Sequence, residues 1–261
     1  MARPMSVTMS SATEAARVAA RERANASDSR SLSFVSRQAN WVSPERARTN
    51  ATTTKANARM NAKESTEWET LARRGVEVNP CNSRTHPAAI AGVAPFDASR
   101  PKRSLQEAYD PRCIDFTCGL AHASEAKIGL KTYRCDDEEN ALRSEFSFPA
   151  TFEEFPGIIG PAMYGVVASS AGNWAASIAL MDRAILPRPP LVAMKSLSLE
   201  VRDRVGPNEP LEIKSRILSI DDFAEPFTVV VELRINSQPT GTTVAKAVCC
   251  FEKIGAVRSM R

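Results

Sequence analysis

Residues 161–182 read PAMYGVVASSAGNWAASIALMD. After Pro161 the stretch contains no proline and is rich in Ala, Val, Met and Trp. Its length and composition predict one long helix from Pro161 to about Asp182. Apolar residues fall on nearly every face, which is the pattern of a buried helix. Pro161 suits the first helical turn, where its missing N–H costs no internal hydrogen bond. Gly165 and Gly172 each lower helix propensity by about 1 kcal/mol. Small residues at those points let a sheet approach the helix closely.

Strand patterns flank this helix. Before it, Ile128, Leu130 and Thr132 alternate with polar neighbours up to about Cys135, and Leu142, Ser144, Phe146 and Phe148 alternate with Arg143, Glu145 and Ser147. The run Asp136–Asn140 between them reads as a solvated turn, so the pair is expected to form a hairpin. After the helix come four more alternating runs. Their inward sets are Leu197, Leu199 and Val201; Leu211, Ile213, Ser215 and Ile217; Phe227, Val229, Val231, Leu233 and Ile235; and Ala245, Ala247, Cys249 and Phe251. The order is strand, strand, buried helix, four strands. An antiparallel sheet wrapped around one long buried helix accounts for it, an α+β arrangement known as the hotdog fold. The expected domain covers residues 113–254, with 255–261 as a tail.

The rest of the chain differs in composition. Residues 1–60 are rich in Ala, Ser, Thr and Arg and poor in acids, with no secretory apolar core. This predicts a transit peptide, with a disordered basic leader as the alternative. The small and hydroxylated run 51–58 points to a chloroplast, with the mitochondrion as the alternative. Residues 61–112 carry scattered prolines and no sustained period, and read as a linker or an arm lying over the domain. The net charge of +4 is modest and does not itself point to nucleic acid. No run approaches the ~20 apolar residues of a membrane span. The six cysteines are irregularly spaced, and with only His86 and His122 beside them no zinc-ligand set emerges. No metal or cofactor is expected.

Phe155-Pro156-Gly157-Ile158-Ile159 and Trp174-Ala175-Ala176 resemble the core of small hotdog thioesterases that hydrolyse acyl-CoA and aryl-CoA esters. Cys118-Gly119, Ile128-Gly129-Leu130 and Asn208-Glu209-Pro210-Leu211 are similar to further motifs of that family. The resemblance covers about residues 113–252. It implies a homo-oligomer whose substrate is an acyl-CoA or acyl carrier protein thioester. It also implies two catalytic elements. One is a backbone N–H at the helix N-terminus, acting as an oxyanion donor. The other is a carboxylate two turns into the helix, acting as base or nucleophile.

The chain departs from the family at both. Gly160 stands where the family has His, Pro161 and Ala162 where it has two glycines, and Ser169 where it has the carboxylate, followed by Ser170. Proline has no N–H to donate, and Ser169 has no histidine in the helix to activate it. The resemblance therefore assigns Gly160, Pro161, Ala162 and Ser170 to substrate binding. Ser169 and Asn173, four apart on one helix face, are the catalytic candidates, placed to hold a water between them. Glu153 and Glu154 stand just before the helix and are within a loop's reach of the site. Two functions follow: a divergent thioester hydrolase with a weakened or altered site, or a catalytically silent domain that binds acyl or pantetheine groups or serves as a scaffold.

Overall fold

Alternation along the strands decides the architecture of the computed structural model, which describes residues 67–256 apart from positions 125, 139, 140, 222, 224 and 225. The leader expected over residues 1–60 and the end of the tail lie outside the described residues. Six strands form one antiparallel sheet: β1 (Lys131–Arg134), β2 (Ala141–Phe146), β5 (Pro190–Val201), β6 (Leu211–Asp221), β7 (Thr228–Ser237) and β8 (Thr243–Ala256). Their spatial order is β1-β2-β6-β7-β8-β5. Because side chains alternate between faces, the register stacks the inward sets into rows. One row runs Leu142, Ser215, Leu233, Ala247, Leu199, and the next runs Ser144, Ile213, Ile235, Ala245, Val201.

Against this inner face lies α3 (Ala162–Arg183), 22 residues long. Tyr164, Val167, Ala168, Ala171, Ala175 and Ile178 are buried on the sheet side. Gly172 is the point of closest approach, since a Cβ there would sit 2.8 Å from two ring carbons of Phe251. This is the α+β hotdog arrangement. The opposite stripe of α3, including Val166, Ser169, Ser170, Asn173 and Trp174, is only half-buried. Trp174 packs against the edge of the core rather than within it.

The helix is entered through a small hairpin, β3 (Glu153–Phe155) and β4 (Ile158–Ile159). Pro156 and Gly157 occupy its turn, with Gly157 at φ 79°. Proline followed by a glycine of positive φ is the chemistry of a type II turn.

Residues 67–112, where the sequence shows no period, are ordered by capping and by amide side chains. A short helix covers 67–73 and carries the fully buried Trp68. The α1 turn (Pro87–Ile90) is capped by His86, and α2 (Leu105–Tyr109) begins with a capping box between Ser104 and Glu107. The Asn82 side-chain amide donates to the carbonyls of Asp97 (2.8 Å) and Arg100 (2.7 Å). Gln106 pairs with β1 as a neighbouring strand would, accepting from Thr132 N–H (2.9 Å) and donating to Thr132 Oγ1 (3.0 Å). Cys81, Leu105 and Tyr109 join the main core. Trp68, Val78 and Ala88 form a second core, against which Ile185 packs. Ile185 follows α3 at φ 51°, a strained conformation for a β-branched residue. Asp136, in the acidic run expected to be merely solvated, is tied to this segment by Lys102 (3.0 Å) and by Ser83 Oγ (3.4 Å).

Gly172→Ala gains about 1 kcal/mol of helix propensity but forces a methyl group onto the buried Phe251 ring, and overpacking of this kind costs about 1–3 kcal/mol. Gly165→Ala meets only the ends of the Leu197 and Leu199 side chains, at 3.3 and 3.7 Å. The chemical denaturation midpoint is expected to fall for Gly172→Ala and to hold or rise for Gly165→Ala. Equal midpoints would show that the sheet gives way at Phe251.

Candidate functional site

The N-terminus of α3 sits where three backbone paths meet. Ile159 N–H donates to the Val205 carbonyl (3.0 Å) and Gly160 N–H to that of Phe152 (3.2 Å). Met163 N–H is spent on the Gly160 carbonyl (3.0 Å) and Tyr164 N–H on that of Pro161 (3.2 Å). Pro161 has no N–H. The Ala162 N–H is thus the first-turn donor with no hydrogen-bond partner among the described residues. The partial positive charge of the helix end is presented through Ala162, one residue later than the family resemblance places its donor.

Beside this end lies a cleft of about 260 Å³. Phe155, Ile158, Ile159, Pro161, Tyr164 and Val201 give it an apolar wall, and Glu154, Arg202, Asp203 and Arg204 stand at its rim. Glu154, which the sequence placed within reach of the site, lies against Gly160: its carboxylate is 3.6 Å from where a Gly160 Cβ would stand. Glu153 instead accepts Gly157 N–H (3.2 Å) and steadies the hairpin turn. Tyr164 is held edge-on to Phe148, at 5.7 Å and 88°, and its hydroxyl accepts Val205 N–H (3.3 Å).

Pro161 therefore lines the cleft with Glu154 and Tyr164, while Gly160 and Ala162 flank it in the chain without lining the cleft themselves. Ser169, Ser170 and Asn173 are not among its lining residues. Asn173 donates its amide to the Val192 carbonyl of β5 (3.0 Å). Ser170 Oγ is 2.8 Å from Thr117 Oγ1, in a loop that sequence reasoning did not connect with the helix. Asp115 organises that loop, accepting Thr117 N–H (2.7 Å), Cys118 N–H (3.2 Å) and the Thr117 hydroxyl. The single Thr117 hydroxyl proton has two acceptors in reach, Asp115 and Ser170. Burial works against the Asp115 charge, but these donors outweigh it and hold the carboxyl below its ordinary pKa. Gly119 closes the loop, since a Cβ would fall 2.2 Å from the Asp115 carbonyl oxygen. The sequence signal for all this is Asp-x-Thr, a motif suited to side-chain-to-backbone turns, just before Cys118-Gly119.

Neither histidine reaches the serines. His122 Nδ1 accepts Ser124 N–H (3.1 Å). His86 Nδ1 accepts Ala88 N–H (3.1 Å), so its proton resides on Nε2, which faces the Tyr109 hydroxyl at 3.2 Å. Nearby, Arg134 makes a bidentate ion pair with Asp182 near the end of α3 (2.6 and 2.7 Å). Burial opposes the Arg134 charge, but the Asp182 carboxylate outweighs it and drives the guanidinium pKa further up. Burial, and then the Arg134 charge, push the His86 pKa down to about 2. Among the described residues no group of three or more His, Cys, Asp or Glu side chains could hold a metal ion, and no helix is long and apolar enough to cross a membrane.

No protein-family model matches the chain, and no curated protein matches it. Among solved structures, the E. coli PaaI protein from the phenylacetic acid degradation operon is similar, with 12% identity and a TM-score of 0.40, over 49% of this chain and 82% of that one. Thioesterase HI1161 from Haemophilus influenzae shares 11% identity at a TM-score of 0.42, over 53% of this chain and 87% of its own. The smu.793 protein of Streptococcus mutans, solved with acetyl CoA, shares 13% identity at a TM-score of 0.40, over 52% and 96%.

His86 supplies a pH test. Its folded pKa of about 2 lies below the ordinary 6.5, so on acidification the unfolded chain takes up the proton first. Its contribution to stability is complete above about pH 6.5 and is withdrawn as the pH falls toward about 2. Most carboxylates bind protons only below about pH 4.5, which leaves the upper part of that window to histidine. The melting temperature is expected to fall between pH 7.5 and pH 5. In His86→Asn, which keeps the helix cap, that slope should flatten. A native profile that is level over this range would show that His86 is not held neutral by burial.

Proposed function

We propose that this chain is a divergent acyl thioester hydrolase of the thioesterase superfamily, acting slowly on acyl-CoA or acyl carrier protein thioesters. The observation that carries the reading is the uncommitted Ala162 N–H, which directly follows Pro161 in the wall of an apolar cleft at the α3 N-terminus. A thioester carbonyl placed there is polarised by one N–H and the helix dipole, while the acyl chain lies along Phe155, Ile158 and Val201. Glu154 stands at the same end and is the carboxylate suited to take a proton from the attacking water. The tetrahedral intermediate then expels the thiolate, which leaves as the protonated thiol. One donor and a rim carboxylate make a weaker device than a donor paired with a carboxylate on the helix.

The silent alternative is favoured by Pro161 and Ser169, which remove both family elements at once. On its composition, the leader over residues 1–60 adds the chloroplast as the proposed location, with the mitochondrion as the alternative. We further propose a homodimer formed along β5. Of the two sheet edges, the four-residue β1 has its Thr132 N–H held by the Gln106 amide, whereas the 12-residue β5, whose Val192 carbonyl accepts from Asn173, is the longer edge, and open edges recruit strands. Pairing there also brings a second copy toward the half-buried stripe of α3.

The hydrolysis test uses the full chain with short, long and aromatic acyl-CoAs. Slow native turnover is expected, reduced about 10²-fold or more in Glu154→Gln and raised when Pro161→Gly and Ser169→Asp are combined. Acyl-CoA binding without native turnover, with activity gained only by that double variant, would select the silent reading. Absence of both binding and turnover would remove both readings. For assembly, light scattering should give twice the mass of one chain, and a monomer mass would defeat the β5 dimer.

A further inference from the structure

The outer face of the sheet carries a feature that thioester hydrolysis leaves unused. The register sets Arg143 of β2 opposite Lys214 of β6, Lys214 opposite Arg234 of β7, and Arg234 opposite Lys246 of β8. Strands lie about 4.8 Å apart, so this row of four cations crosses about 14 Å of surface. Like charges directly opposite one another destabilise a sheet, and stability alone would intersperse them. Two members are partly neutralised by carboxylates in adjacent rows. Arg143 meets Glu145 (3.0 Å) and Glu212 (2.8 Å), and Arg234 meets Glu232 (3.3 Å). Lys214 and Lys246 have no ion-pair partner among the described residues.

The row leads to the cleft. On β5, Lys246 stands opposite Glu200, which is itself held by Arg202 (3.1 Å). Arg202 N–H donates to the Val244 carbonyl (2.8 Å), two residues before Lys246. Arg202 and Arg204 are the cations of the cleft rim. The row of cations thus ends one carboxylate, Glu200, away from the Arg202 and Arg204 of the cleft rim, where Glu154 and Asp203 also stand.

We propose that this face docks an acidic protein surface, and hence that the thioester is delivered on an acidic acyl carrier protein rather than on CoA. The inference rests on the thioester-handling function proposed above. Its argument is the shape of the charge. A row of about 14 Å matches about two and a half turns of helix, so carboxylates along one face of an acidic helix meet the cations one by one. A nucleotide's phosphates form a compact cluster instead. The shallow hollow beside the row, about 150 Å³, is lined by Lys214, Arg216 and Arg234 together with Glu138 and Glu232, so carboxylates stand among its cations and break up a compact seat for a phosphate cluster.

The test measures binding of the full chain to an acidic acyl carrier protein and to dodecanoyl-CoA by calorimetry, at low and high salt. Lys214→Glu combined with Lys246→Glu is compared with native protein, and Arg112→Glu serves as a charge-reversal control in the 67–112 segment. Native protein is expected to bind the carrier, more weakly in high salt because exposed charges are screened. The double reversal should weaken carrier binding about tenfold or more and leave dodecanoyl-CoA binding and Arg112→Glu unaffected. Carrier binding that ignores the double reversal would overturn the inference. So would a native chain that binds dodecanoyl-CoA but no carrier, an outcome that leaves the functional reading standing. A double reversal that changes the mass of the assembly instead would show the face meeting a second copy, and would equally overturn it. Failure to bind either thioester carrier removes the functional reading and the inference together.

Discussion

The Phe251 ring meets α3 at Gly172 with no room for a methyl group between them. A Cβ on the same glycine would also stand 3.6 Å from the Leu233 side chain, so two strands, β7 and β8, press on one point of the helix. A larger residue there would lift the helix off the sheet and open voids along the rows of Val, Ile and Leu that fill the inner face, where close packing supplies most of the stability. The glycine's cost in helix propensity is repaid by that contact. The contact also fixes the helix axis, and so decides where each end of α3 lies. The N-terminal end is delivered to the cleft, and the C-terminal end to Arg134.

At the N-terminal end, Pro161 is compatible with the helix and incompatible with the oxyanion device that the resemblance implies. Its backbone, at φ −56° and ψ −30°, is helical, so the fold gains a rigid entry and loses one donor. Met163 and Tyr164 turn their N–H groups back onto Gly160 and Pro161. The tightened first turn leaves Ala162 as the outlet for the helix dipole. Chemistry at this site is therefore set by backbone accounting, in which the identity of residue 161 moves the donor along the chain by one position.

The helix and the six sheet strands were legible because burial writes itself into periodicity. The inward sets read from alternation are the rows found in the register, from Leu211 and Ile213 through to Phe251. The 67–112 segment was not legible, because its order comes from single polar side chains with no period. Asn82 bridges two carbonyls, Gln106 imitates a strand, and His86 and Ser104 cap helices of four and five residues. The site was legible only in part. Gly160, Pro161, Ala162 and Glu154 are close in sequence to the helix entry, so their convergence followed from the hairpin. The cleft's other wall, Val201 to Arg204, is set by the end of β5, and the Thr117–Ser170 contact depends on how the Asp115–Gly119 turn folds back. Local sequence marks the turn, as Asp-x-Thr, but not the residue it meets on the helix.

At the C-terminal end, the same helix is held by the 67–112 segment. Ile185 adopts a left-handed conformation that a β-branched residue resists, and it is held there by packing against the second core of Trp68, Val78 and Ala88. One turn earlier, Asp182 is fixed by Arg134, whose charge also reaches Cys81, His86 and Tyr109. The strain at Ile185 and the desolvation of this polar cluster are both unfavourable on their own. They persist because the segment's packing overdetermines them. An α-helix is stiff over the ~33 Å that 22 residues span. The segment preceding the hotdog domain, through its second core, and Arg134 of β1 thus share the C-terminal seat of the helix whose N-terminus stands beside the cleft.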